Sequence, residues 1–230
     1  MTKVSDLYLQ AGVFVPVSYF QYSPERLSDY EALFFGDFPE GYEKWVVKRK
    51  ASFVAGRLAV QNLLQHVNIP NVVISRAEDG SPIWPKGWKG SIAHADNQAV
   101  ACVISHDLKN SKNLTGLGID VENLEKSNLL FETQKMIAND GEVILLESRG
   151  YARDIALTMI FSIKESVFKA VYPAYGKYFD FLDAELISAS DSNEWQVRLT
   201  THLSDIFPKG FTLRVKAWIE NECVYSYSYW

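Results

Sequence analysis

The chain has 230 residues, 47% of them hydrophobic and 22% charged, which is enough for a sizeable core in one large domain or two small ones. Its formal net charge of −5 excludes a bulk nucleic-acid binder, so any anion site must be local. Its two cysteines, Cys102 and Cys223, sit in apolar strand-like runs, which excludes a disulfide framework or a zinc cluster and reads as buried thiols in a reducing compartment.

Met1-Thr2-Lys3-Val4-Ser5-Asp6 lacks a signal-peptide pattern. The run from Ala11 to Val17 contains Pro16 and is too short to span a bilayer, so the expectation is a cytoplasmic protein with no membrane partner. Val13, Val15, Val17 and Tyr19 alternate and predict a strand over 11–21. Ser23-Pro24-Glu25 predicts a helix start, with Ser23 as N-cap and Pro24 at the first helical position. A long helix is predicted over 42–67, closed by Pro70. It carries Lys48, Arg49, Lys50 and Arg57. Such residues usually form a solvated basic face, but Arg49 and Arg57, about two turns apart, could also grip a phosphate. Spacing alone favours the solvated face.

Residues 71–76 predict a short strand. The turn-rich stretch 78–90 then places Trp84, Trp88, Lys86 and Lys89 on a Gly/Pro-stiffened loop. It reads either as aromatic cover for the core or as a rigid wall beside a nucleobase. Gly90-Ser91-Ile92-Ala93-His94 leads into the buried strand 99–104, and its hydroxyl, imidazole and backbone N–H groups suit an anion. The polar stretch 105–115 reads as a link between two halves.

In the second half, Leu117, Ile119 and Val121 alternate with Gly118, Asp120 and Glu122. That strand pattern puts both carboxylates on one face and the apolar residues on the other. Residues 123–150 predict broken helix and contain Glu142. A central helix is predicted from Asp154 to Tyr172, stopped by Pro173, with Glu165 and Lys169 four apart on one face. Strands follow over 181–189, 194–201, 211–219 and 223–230, with turns at 191–193 and 208–210. The fold class is therefore α+β, as two halves of similar design. Alone, Asp120 with Glu122 reads as a solvated strand edge, and Glu165 with Lys169 as a surface ion pair. Together they suit Mg²⁺ and a phosphorylated ligand, because Mg²⁺ takes oxygen from a few carboxylates, water and substrate phosphates.

Five pieces stand in order: Arg49-Lys50-Ala51-Ser52-Phe53-Val54-Ala55-Gly56-Arg57, Gly80-Ser81-Pro82-Ile83-Trp84-Pro85, Gly90-Ser91-Ile92-Ala93-His94, Gly118-Ile119-Asp120-Val121-Glu122, and Phe161-Ser162-Ile163-Lys164-Glu165-Ser166-Val167-Phe168-Lys169. Together they resemble the 4′-phosphopantetheinyl transferases, and more closely the single-chain branch typified by enterobactin synthetase component D. The resemblance implies a pseudo-dimer of two α+β halves with the active site in the cleft between them. Residues 1–115 would carry the basic helix and the phosphate-binding loop, and 116–230 the metal-binding carboxylates. It implies transfer of phosphopantetheine from coenzyme A to a serine of an apo carrier protein, with Mg²⁺ as cofactor, release of adenosine 3′,5′-bisphosphate, and a monomeric enzyme. Asp120, Glu122 and Glu165 would ligate the metal. Arg49, Arg57, Arg76, Ser91, His94, Lys164 and Lys169 would contact coenzyme A. Glu165 would be the general base, and Lys169 would stabilise the departing phosphate. Glu142 falls where some relatives have a further acidic residue near the metal. Ala93 departs from the family, which usually has a small hydroxyl residue before the histidine. A catalytically silent coenzyme A-binding regulator on the same fold is the competing reading.

Overall fold

The computed structural model describes residues 2–8, 14–69, 72–105, 114–124, 131–190 and 193–230. Pro70, Val13, the turn at 191–192 and most of the 105–115 link fall outside them. The chain divides into two compact units, Met1–Asn113 and Leu114–Trp230.

The first unit is an antiparallel sheet of strands β1 (Thr2–Tyr8), β2 (Phe14–Gln21), β5 (Trp88–His94) and β6 (Gln98–Ser105), in the order β1-β2-β6-β5. A separate hairpin pairs β3 (Ser75–Arg76) with β4 (Pro82–Ile83). Strand β6 is buried along almost its whole length because Ala99 to Ile104 is uninterrupted apolar chain. Ser23-Pro24 opens a 3-10 turn (Pro24–Arg26) that runs into helix α1 (Leu27–Leu33). Helix α2 (Val47–His66) lays Val54, Leu58 and Leu63 on Ala99, Ala101 and Val103 of β6. It starts later than the apolar count predicts, because Tyr42–Lys44 forms a 3-10 turn. Val46 and Val47, apolar residues inside the predicted helix 42–67, are 71% and 54% exposed. Strand β1 is unanticipated, since Lys3, Ser5 and Asp6 break its apolar alternation. Strand β5 extends the predicted 90–94 loop into a full hairpin with β6, pairing Ser91 with Cys102 and His94 with Ala99.

The second unit holds strands β7 (Leu117–Asn123), β8 (Ala184–Ala189), β9 (Glu194–Leu199), β10 (Thr212–Glu220) and β11 (Cys223–Tyr229), in the antiparallel order β7-β11-β10-β9-β8. Between β7 and β8 come helices α3 (Gln134–Ile137), α4 (Asp140–Glu147) and α5 (Arg153–Tyr175). Asn139 and Glu142 close a reciprocal capping box on α4. Pro173 does not stop α5. It sits in the last turn, where only one backbone bond is lost, and Gly176 in the left-handed region (φ 72°) ends the helix. Met159, Ile160, Ile163 and Val167 of α5 pack on Val197, Leu213, Val215 and Val224 of the sheet. In each unit the strand that directly precedes the helices pairs with the unit's last strand, β2 with β6 and β7 with β11.

Candidate functional site

In the second unit the site begins with Gly118. A Cβ there would come within 2.0 Å of the Ser166 carbonyl and 2.7 Å of the Ala170 nitrogen, so glycine lets α5 lie directly on β7. The face of β7 that carries Gly118, Asp120 and Glu122 is therefore the face under α5. Asp120 is only 3% exposed, which rules out a solvated strand edge. Lys169 reaches across from α5, its Nζ 2.6 Å from Asp120 Oδ1. Asp120 Oδ2 is buried with no hydrogen-bond partner among the described residues. Burial alone would lower the Lys169 ammonium, but the charges of Asp120, Glu165 and Glu122 outweigh it and hold it above the ordinary lysine range. Glu165, half-buried one turn before Lys169, is pushed up by burial; Lys169 opposes the shift and Asp120 adds to it.

Among the described residues, no three His, Cys, Asp or Glu side chains gather as a closed metal centre. Mg²⁺ does not need one, since one or two carboxylates plus water and substrate phosphates are its usual protein environment. A buried carboxylate oxygen without a partner, in a set of hard oxygen donors coupled through one lysine, fits that ion.

In the first unit, Arg49, Arg57, Arg76 and His94 line one pocket of about 310 Å³, together with Trp45, Ser52, Phe53, Gly56, Gly80, Pro82 and Ile92. That volume lies at the lower end of the small-ligand range. Trp45, which the sequence reading passed over, organises the cations: its ring lies 4.2 Å from the Arg49 guanidinium and 5.9 Å from that of Arg76. Phe53 meets Trp45 edge-on at 5.6 Å and lies under Arg57 at 5.0 Å. Arg57 is 6% exposed. It donates to the Ser75 carbonyl at 3.4 Å, while its Nε is buried without a hydrogen-bond partner among the described residues. Burial, then the neighbouring charge of Arg76, pushes the Arg57 guanidinium down to about 10. A buried cation held this way calls for an anion. Arg76 packs over Gly80, whose φ of +95° and missing side chain let the β3–β4 turn fold beneath the guanidinium.

Three predicted placements are corrected. Lys164 does not present its ammonium to a ligand. It is buried, 2.9 Å from the Glu142 carboxylate and 2.8 Å from the Ile137 carbonyl. The Glu142 carboxylate is correspondingly taken up inside its own unit, by Lys164, the Leu186 N–H at 2.8 Å and the Asn139 N–H at 2.9 Å. Ser91 is buried and, by strand alternation, faces away from His94 and Ile92, which line the pocket. Ala93 shares the Ser91 face, so the absent hydroxyl there is not an absent pocket contact. Trp84 covers Gly90 and, with Trp88, packs partly buried against the first unit's core, as the aromatic-cover reading expects.

Comparison with known proteins places the two units in one family. Residues 38–104 match the 4′-phosphopantetheinyl transferase N-terminal domain, and residues 116–220 match the 4′-phosphopantetheinyl transferase superfamily. Enterobactin synthase component D of Salmonella typhi is 31% identical over 157 residues, covering 68% of this chain and 58% of that protein. The Salmonella typhimurium protein of the same name is 35% identical over 54% of this chain and 48% of its own. The 4′-phosphopantetheinyl transferase PptT of Mycobacterium tuberculosis is 25% identical over 69% of this chain and 66% of its own. The chain thus spans about half the length of the enterobactin synthase relatives it matches. Among solved structures, holo-ACP-synthase from Plasmodium yoelii aligns with a TM-score of 0.37 at 15% identity, over 51% of this chain and 94% of its own. The matches to both units, taken with the acidic cluster and the basic pocket, establish that the chain belongs to the 4′-phosphopantetheinyl transferase superfamily.

Proposed function

We propose that this protein transfers the 4′-phosphopantetheine group of coenzyme A to a serine hydroxyl of an apo carrier protein, releasing adenosine 3′,5′-bisphosphate. The observation that carries the reading is Asp120: a buried carboxylate, one oxygen on Lys169 and the other without a hydrogen-bond partner among the described residues, in a chain of this family. Asp120, Glu122 and Glu165, which do not gather as a ready-made metal centre among the described residues, would hold Mg²⁺ together with water and the coenzyme's phosphates, and the ion would neutralise charge on the pyrophosphate. Arg49, Arg57, Arg76 and His94 would bind the coenzyme's phosphates, with Trp45 holding two of the guanidiniums in place.

The serine oxygen forms a bond to the coenzyme's β-phosphorus as the bond to the bridging oxygen of the leaving bisphosphate breaks. Glu165, whose carboxyl burial pushes up from the ordinary carboxylate range toward that of a better base, would in its ionised form take the serine proton. Lys169, held cationic by its carboxylates, faces the charge that grows on the leaving phosphate. Such transfers depend on alignment and charge stabilisation more than on covalent help. Removing one such electrostatic group costs roughly 10²–10³ in rate, which is the loss expected for Lys169→Ala, with a larger one for Glu165→Ala.

Release of adenosine 3′,5′-bisphosphate from coenzyme A, followed by chromatography, tests the proposal. Release should require the apo carrier protein and stop with chelator or Glu165→Gln. Tight coenzyme A binding without release across peptidyl, aryl and acyl carrier proteins would favour the silent binder.

A further inference from the structure

The seam between α5 and the β7–β11 pair is polar where a helix-on-sheet contact is normally apolar. Ser162, Ser166, Ser226 and Ser228 are all 0% exposed. Ser226 Oγ donates to the Ser162 carbonyl at 2.7 Å, Ser228 Oγ to the Ser166 carbonyl at 2.5 Å, and Trp230 Nε1 to the Ala170 carbonyl at 3.0 Å. Ser162 Oγ also lies 2.9 Å from Ser226 Oγ. The donors are spaced by two along the strand end, and the acceptors by four along the helix. Two strand residues rise about 6.6–6.8 Å, and four helical residues about 6 Å. The rows therefore match nearly rung for rung. Each acceptor is a helical carbonyl with a second lone pair to offer.

Gly116 and Gly118 open the space for this row. A Cβ on Gly116 would meet the Ala170 carbonyl at 2.4 Å, and one on Gly118 the Ser166 carbonyl at 2.0 Å. The hydrophobic driving force is non-directional, whereas hydrogen bonds demand defined donor–acceptor geometry and so sharpen the slide and rotation that packing allows. Two of the acceptors, Ser166 and Ala170, directly follow Glu165 and Lys169, and Ser226 is the ladder partner of Asp120.

We infer that Ser226, Ser228 and Trp230 are positioning residues, locking the register of α5 against β7 so that Glu165 and Lys169 meet Asp120. The inference rests on the proposed transfer reaction for its kinetic readout, but its structural readout does not. None of the three touches a reacting group; they act through the helix backbone.

The test compares Ser226→Ala/Ser228→Ala and Trp230→Phe with wild type, and with Val197→Ala, a core variant on β9 chosen for comparable thermal destabilisation. Two quantities are read: kcat and KM for coenzyme A, and the ¹⁵N signal of the Lys169 ammonium, assigned by its loss in Lys169→Met. Misplacement of about 1 Å can cost up to about 10²-fold in rate. The expected result is a fall in kcat of about tenfold or more with KM nearly unchanged, and a lost or broadened Lys169 signal, neither seen in Val197→Ala. Unchanged kcat and Lys169 signal in the seam variants, at a melting loss equal to that of Val197→Ala, would overturn the inference. If the double variant fails to fold, Ser226→Ala alone and Trp230→Phe carry the same comparison. If wild type transfers nothing, the functional reading fails, and the Lys169 signal alone decides the positioning claim.

Discussion

Arg57 and Lys164 are both buried cations, yet they do opposite things. Lys164 is neutralised inside its own unit by Glu142, with both side chains 1% exposed. Burial lowers the Lys164 ammonium, and the charge and hydrogen bond of Glu142 only partly restore it. Removing the lysine leaves a buried carboxylate unpaired, which costs about 3–5 kcal/mol. Urea unfolding of Lys164→Met should show that loss, while KM for coenzyme A stays near wild type in the folded fraction. Among the described residues Arg57 has no carboxylate partner. Arg57→Gln should raise KM for coenzyme A by about 10- to 100-fold, the equivalent of one charge-assisted hydrogen bond, with little effect on stability. A stable Arg57→Gln with normal KM would remove the pocket from the coenzyme's path. Glu165 gives a pH signature. Its folded value is raised above the ordinary 4.5, so the stability it contributes is present at low pH and declines as pH rises through the folded value. Melting of the metal-free protein followed upward from about pH 4 should show this decline, flattened in Glu165→Gln; identical profiles would contradict the assignment. The paired carboxylates of 120 and 122 and the i, i+4 pair 165 and 169 were legible in the sequence because strand and helix periods are local. The Lys164–Glu142 pair was not, because it joins residues far apart in the chain. Trp45 also went unread, since its role as an aromatic platform under arginines depends on a hairpin about thirty residues further on.

At the scale of elements, α5 and β7 carry the acidic cluster, and their closeness depends on Gly118. Gly118→Ala places a Cβ against backbone atoms, which cannot rotate away as a side chain could. Overpacking of this kind costs about 1–3 kcal/mol. Chemical unfolding should show that loss, together with a fall in kcat as α5 is lifted from Asp120; an unperturbed Gly118→Ala would mean the contact is looser than described. Apolar periodicity located α2, α5 and the last four strands within a few residues, because each buries one face. It missed β1, which has no apolar alternation, and put the start of α2 too early, because Val46 and Val47 look like core residues and are exposed. Pro173 misled for a related reason: a proline in the final helical turn breaks one bond and no core contact. The alternation of serine and tyrosine in β11 was visible, but which face met α5 depended on its pairing with β7.

At the scale of the molecule, the chemistry is divided between two units, with cations collected in the first and carboxylates in the second. Among the described residues no helix is long and apolar enough to cross a membrane. The division makes a whole-molecule prediction: variants of the basic pocket should act on KM for coenzyme A, and variants of the acidic cluster on kcat and metal affinity. Calorimetric titration of Mn²⁺ into coenzyme A-loaded Asp120→Asn should show weakened metal binding, with wild-type affinity in Arg49→Ala once coenzyme A is saturating. Intact-mass measurement of an apo carrier protein incubated with this protein, coenzyme A and Mg²⁺ reads the transfer itself. The expected result is a gain of one phosphopantetheine group, absent when the carrier's acceptor serine is replaced by alanine, with chelator, or with Glu165→Gln. An unmodified carrier in the complete reaction, or a gain that persists in Glu165→Gln, would contradict the proposed transfer.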